Sequence, residues 1–143
     1  MTQNSIKDLE EDRRDRGRMA IDATEPYDDN NIFARILRGE IPSNKVYEDE
    51  HVLAFHDINP LAPVHVLIIP KGHYVSWDDF SATASDAEIA AMTRAIGEVA
   101  RMVGADTQGY RVLSNVGKRG GQEVPHFHVH VFGGQPLGPM LAR

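Results

Sequence analysis

A single domain of mixed helix and strand is the fold class this sequence predicts, and three features of the chain predict it. Its 143 residues, 41% hydrophobic and 25% charged, are enough for one compact core and too few for two full domains. Ser85 and Glu88, spaced as a capping box, precede Ile89, Met92, Ile96, Val99 and Val103 on one helical face, with Gly104 as the stop. From Pro125 to Phe132 polar and apolar residues alternate, the pattern of a strand with one buried face.

The elements follow in order. Residues 1–30 hold five Lys and Arg against nine Asp and Glu, a net of −4, whereas residues 31–143 hold ten against twelve, a net of −2. Too poor in large apolar residues to offset its own ordering entropy, the first segment reads as a polar extension. It is either flexible or an arm that grips a partner subunit through Ile6, Leu9 and its mixed charges, with Met19 as an alternative start. The folded domain is read as 31–143. Ile32, Phe33, Ile36 and Leu37 have helical spacing before Gly39 and Pro42, which predicts a short helix. Lys45–Tyr47 and Val52–His56 flank the charged turn Glu48-Asp49-Glu50 and read as a hairpin, and Val64–Ile69 reads as a central strand. After the long helix, Tyr110–Ser114 and His126–Phe132 read as strands joined by the Gly-rich connection NVGKRGGQEVP.

Composition excludes several kinds of chemistry. With no cysteine there is no disulfide framework, no thiolate zinc site and no cysteine nucleophile. A formal charge of −6 argues against a broad nucleic-acid-binding face, which needs an excess of Lys and Arg. No apolar run approaches a membrane span, and the first residues are charged where a signal peptide is apolar, so the expected location is the cytoplasm.

What remains is histidine, seven in all, three of them within five residues: His126, His128 and His130. On a strand these imidazoles share one face about 6.5–7 Å apart, while Phe127, Val129 and Val131 turn to the core. Two chemistries suit such a face. A metal ion would need further ligands from elsewhere in the chain. Alternatively, a neutral imidazole is a competent nucleophile at phosphorus when one ring nitrogen is held by a hydrogen bond and the other presents its lone pair. The middle histidine suits that second role.

Three ordered blocks, IFARILRGEIP, AFHDINPLAPVHVLIIPKGH and SNVGKRGGQEVPHFHVHVFGG, resemble the histidine triad family over roughly Asn31–Gly134, and its Hint branch of nucleotide-binding proteins in particular. The resemblance implies an α+β fold: a five-stranded antiparallel sheet with one long and one short helix, paired into a homodimer with a ten-stranded sheet. It implies a phosphoramidase that cleaves purine nucleoside 5'-phosphoramidates, of AMP or GMP, through a nucleotidyl-histidine intermediate, with no cofactor. By the same resemblance His128 is the nucleophile, with His126, His130 and His65 completing the catalytic cluster. Asn115, Gly121 and Gln122 are implied at the phosphate, the last two as a backbone-donor loop. Asp57 is implied at the ribose, and Ile32, Phe33, Ile36, Phe55 and Ile58 at the base. His51, His56 and His73 are left outside the chemistry.

The sequence departs from the family at three places. Asn31 and Ala34 stand where zinc-binding relatives carry a Cys-x-x-Cys pair, so no metal is expected. Glu123 stands where several members carry a hydroxyl that contacts phosphate, and the expectation is that it turns away toward Lys118 or Arg119. The ending GGQPLGPMLAR differs from familiar ones in a segment that bears on the amine side of the substrate. Two other functions are weighed: a dinucleoside polyphosphate hydrolase of the fragile-histidine-triad branch, and a non-catalytic nucleotide-binding regulatory protein. The Phe132-Gly133-Gly134 ending favours the Hint branch over the former, and the intact triad disfavours the latter.

Overall fold

The structure, a computed structural model, describes residues 20–142, so Ile6, Leu9 and Met19 of the polar extension lie outside it. Asn31 opens the first helix, α1 (Ile32–Leu37): its Oδ1 accepts from the Ala34 N–H, satisfying a donor that the helix start leaves without a partner. Gly39, at φ +78°, releases the chain from that helix. Strands β1 (Lys45–Glu48) and β2 (Val52–His56) pair antiparallel around a turn in which Asp49 Oδ1 accepts from the His51 and Val52 N–H groups. Strand β3 (Val64–Pro70) then pairs with β2 along its whole length.

Two helices follow, α2 (Trp77–Thr83) and α3 (Asp86–Met102). The second carries the expected capping box, Ser85 and Glu88 each satisfying the other's backbone donor. The first was not foreseen in the sequence, although Ser76 followed by Asp78 and Asp79 is an acidic helix start. Strand β4 (Arg111–Leu113), the one-turn helix α4 (Gly117–Gly120) and strand β5 (Val129–Gly133) complete the described chain.

Among the described residues the strands form one antiparallel five-stranded sheet in the order β1-β2-β3-β5-β4. This is the α+β architecture expected of the sequence, with α2 and α4 as additions to the long and short helices. The sheet has two unlike faces. Val52, Ala54, Val66, Ile68, Val129 and Val131 pack beneath α3 on Met92, Ala95 and Val99, and all are buried. Leu53, Phe55, Leu67 and Ile69 face the other way and are covered by Phe33 of α1. Period-two alternation therefore puts the odd positions of β3, His65 included, on the face that also receives His128 and His130.

Two sequence readings shift. Strand β5 begins at Val129 rather than His126, because Phe127 N–H is drawn to the Tyr74 carbonyl (2.7 Å) before the ladder with β3 starts. The packed chain also begins earlier than Asn31. Ile21 N–H donates to the Gln122 carbonyl at 2.8 Å, and Tyr27 lies on His73 and His126, so part of the polar extension sits on the domain.

Candidate active site

Four histidines meet on the α1 side of the sheet. His128 and His130 lie two residues apart on the β5 segment, with ring centroids 5.1 Å apart. His65 arrives from β3, where the register pairs Leu67 with His130 and so sets His65 diagonally opposite. With Phe33, Asp57, Asn59, Leu61, Asn115, Gly121, Glu123 and Val124 these three histidines line a cavity of about 370 Å³, of the size that small-molecule sites have. His126 does not line it. Its ring is fully buried one step further along, between the Pro70 carbonyl and Tyr27. The expected surface of three imidazoles is therefore two from β5 plus one from β3, with the fourth behind them.

Hydrogen bonds fix the proton on each ring, because a carbonyl only accepts and a backbone N–H only donates. His128 Nδ1 lies 2.7 Å from the His126 carbonyl, so Nδ1 carries the hydrogen and Nε2 holds a lone pair. The Leu61 N–H donates to His65 Nδ1 at 3.2 Å, which leaves the hydrogen on His65 Nε2. That nitrogen donates to His130 Nδ1 at 2.9 Å, with Asp57 Oδ2 at 3.5 Å. His130 in turn must carry its own hydrogen on Nε2. The cluster thus presents one imidazole with a lone pair and one with a donor. Ser114 adds a support that the sequence reading missed, its hydroxyl donating to the His128 carbonyl at 2.7 Å.

Burial keeps these rings neutral. Desolvation pushes His130 down to about 3, helped by His128 and His65 nearby. Desolvation also pushes His126 down to about 4, against the pull of the Pro70 carbonyl. His128 and His65 are lowered by the same burial, opposed in both by the Asp57 carboxylate. Phe33 contributes to this dryness, standing edge-on to the His128 ring at 4.9 Å.

The Gly-rich connection corrects the expected phosphate loop. Gly121 N–H is spent on the Lys118 carbonyl and Gln122 N–H on the Gly117 carbonyl, both closing the α4 turn. The Gln122 side chain is also committed, donating to the Val75 and Val124 carbonyls and accepting from Gly117 N–H, and it is buried. Gln122 therefore braces the loop and does not face the cavity. Gly121 does line it, at φ +79°, a backbone turn that a side chain at this position would strain. The next two residues, Glu123 and Val124, line the cavity, and their N–H groups have no acceptor among the described residues. Glu123 is exposed there and forms no ion pair with Lys118 or Arg119, contrary to expectation.

Asn115 and Asp57 line the cavity as expected, Asp57 accepting from Asn59 N–H at 2.8 Å. Of the five apolar residues read as a base pocket, Phe33 alone lines this cavity. Phe55 is buried behind it, 5.7 Å away ring to ring. Ile36 borders a separate recess with Lys45 and Lys71. Ile32 and Ile58 are exposed, at 42% and 84%. Among the described residues no group of three or more His, Cys, Asp and Glu side chains is arranged to hold a metal ion, and no helix is long and apolar enough to cross a membrane. Asn31, one of the two residues on whose account no metal was expected, serves as the α1 cap.

A family profile described as the HIT domain matches residues 38–137. The chain belongs to the HIT family. An uncharacterized HIT-like protein of Azospirillum brasilense is 66% identical over 82% of this chain and 96% of its own length. The purine nucleoside phosphoramidase of Escherichia coli (strain K12) is 46% identical, covering 80% of this chain and 96% of that protein. Among solved structures, a HIT family hydrolase from Clostridium thermocellum superimposes with a TM-score of 0.73 at 42% identity, covering 79% of this chain and 97% of that one. A histidine triad protein from Clostridium difficile gives 0.70 at 44% identity over 78% and 96%. The described chain thus shares its fold with a solved HIT family hydrolase.

Neutral buried histidines make stability depend on pH in one direction. Folded His126 and His130 resist protonation until about pH 4 and about pH 3, while the unfolded chain takes up protons near the ordinary 6.5. Their contribution is complete above that ordinary value and is lost as pH falls below it, with a limiting slope of ~1.4 kcal/mol per pH unit for each ring. Urea midpoints measured across this range should fall steadily below neutrality. A flat profile from neutral pH to pH 5 would contradict the assignment.

Proposed function

We propose that this chain hydrolyses purine nucleoside 5'-phosphoramidates to a nucleoside monophosphate and an amine through a nucleotidyl-His128 intermediate. One observation carries the reading: the His126 carbonyl holds Nδ1–H of His128, which leaves the Nε2 lone pair as the nucleophile at the cavity wall. In the first step Nε2 bonds to the α-phosphorus and the P–N bond breaks, its electron pair and one proton leaving with the amine. The amine takes that proton from solvent, because a neutral imidazole is too weak an acid to release one, and the Nε2–H of His130 is a hydrogen-bond donor for a phosphoryl oxygen. In the second step water attacks phosphorus, its hydroxyl remaining in the monophosphate and its proton passing to solvent as neutral His128 departs.

The rest of the wall fits the same substrate. Asn115 and the N–H groups of Glu123 and Val124 are donors for the phosphoryl oxygens, which gain charge in the transition state. The Glu123 carboxylate then points to solvent and leaves the phosphate to its backbone. Asp57 is an acceptor for ribose hydroxyls, and the base lies toward Phe33, which alone of the five residues read as a base pocket lines this cavity. The purine is assigned from the name of the Escherichia coli relative. A dinucleoside polyphosphate would engage the same nucleophile, and the E. coli relative is what favours the phosphoramidate over it.

A homodimer belongs to this reading. Strand β4 is one of the sheet's two edges, and around it Trp77, Ile89 and Val112 are 48%, 37% and 37% exposed at an apolar recess that α2 and α3 leave uncovered. Pairing two β4 edges would bury that recess and extend the sheet. Val112→Asp should therefore shift sedimentation from dimer to monomer, whereas a wild-type chain that sediments as a monomer would contradict the dimer.

The reaction is tested by turnover of adenosine phosphoramidate beside diadenosine polyphosphate, for the wild type and His128→Asn. The phosphoramidate should be the better substrate. The variant should lose turnover while keeping nucleotide affinity within about tenfold, since the loss falls on the transition state. Near-normal hydrolysis by His128→Asn would remove the mechanism, and preference for the dinucleotide would remove the substrate class.

A further inference from the structure

We propose that Tyr27, outside the matched family region, is a positioning residue for His128 that acts through His126. The inference rests on reading His128 as the nucleophile. His126 Nε2 lies 2.8 Å from the Pro70 carbonyl, so it carries the ring hydrogen and Nδ1 is left as an acceptor. The donor it meets is the Tyr27 hydroxyl, at 2.6 Å. The His126 ring has 0% exposure, so without that hydroxyl a buried nitrogen would have neither water nor protein. Anchored at both nitrogens, the ring holds its residue in place, and the carbonyl of that residue is the group that orients His128.

The hydroxyl is itself held. The Tyr27 ring stacks on His73 with centroids 4.5 Å apart and planes 10° apart. On its N-terminal side Ile21 N–H is tied to the Gln122 carbonyl at 2.8 Å. On its C-terminal side Asn31 donates to the Asp28 carbonyl and Arg38 to the Asp29 carbonyl. Tyr27 does not line the cavity, so its loss should act on the chemical step and not on nucleotide binding. The segment before α1 is thus a strap that closes the back of the histidine cluster.

Tyr27→Phe keeps the stacked ring and deletes only the hydroxyl. The expected result is a kcat for adenosine phosphoramidate lower by about tenfold, with KM within about twofold. In nitrogen-resolved NMR of labelled histidines, His126 Nδ1 should shift and exchange of the His128 Nδ1 proton should accelerate. Thr24→Ala, which alters a strap hydroxyl bonded to Asp22 and remote from His126, should leave all these readouts unchanged. Unchanged kcat and unchanged His128 proton exchange in Tyr27→Phe would overturn the proposal. If the wild type turns over no phosphoramidate, the reading of the reaction fails separately, and the His128 proton exchange alone decides whether Tyr27 positions that ring.

Discussion

The site depends on one hydrogen bond, from Nδ1 of His128 to the backbone carbonyl of His126, two residues back on the same segment. An imidazole free to rotate presents either nitrogen and either tautomer. This bond selects one of each, and burial removes the protonated alternative. The chain joins the strand ladder only at Val129, one residue past the ring that this bond holds. The Ser114 hydroxyl on the His128 carbonyl and the Tyr74 carbonyl on Phe127 N–H replace the missing ladder bonds.

A second chain of bonds runs from Leu61 N–H through His65 to His130 and gives the neighbouring ring the complementary form, donor toward the cavity. Neighbouring imidazoles can hold opposite roles without any charge because each inner nitrogen is already bonded. An ionised ring here would face desolvation and its own kind, so the low values of His126 and His130 and the fixed tautomers are two consequences of one packing. The β3–β5 register makes this possible, since a shift by one residue would send His65 to the α3 face.

Much of this was legible in the sequence because it rests on periodicity. The alternation of the histidine strand, the capping box of α3 and the short helix before Gly39 are local patterns, and the structure keeps them. What was not legible depends on who meets whom across the fold. Gln122 reads as a phosphate contact by position, yet it is buried on the Val75 and Val124 carbonyls, partners that no local pattern announces. His126 reads as a member of an open face, yet Pro70 and Tyr27 enclose it. Tyr27 sits in a segment whose composition marks it as an appendage, and one aromatic ring among acidic residues gave no sign of its target. Ile89, part of the expected apolar face of α3, is left at the edge of an uncovered recess.

In the proposed reaction Nε2 of His128 is the atom that attacks phosphorus. Rapid quenching of the protein with a nucleoside phosphoramidate, followed by peptide mapping and NMR of the trapped adduct, tests it directly. One nucleotidyl group per chain should be found, bonded to Nε2 of His128, formed and lost at rates that match turnover. An adduct on Nδ1, on another residue, or none at all during turnover would contradict it.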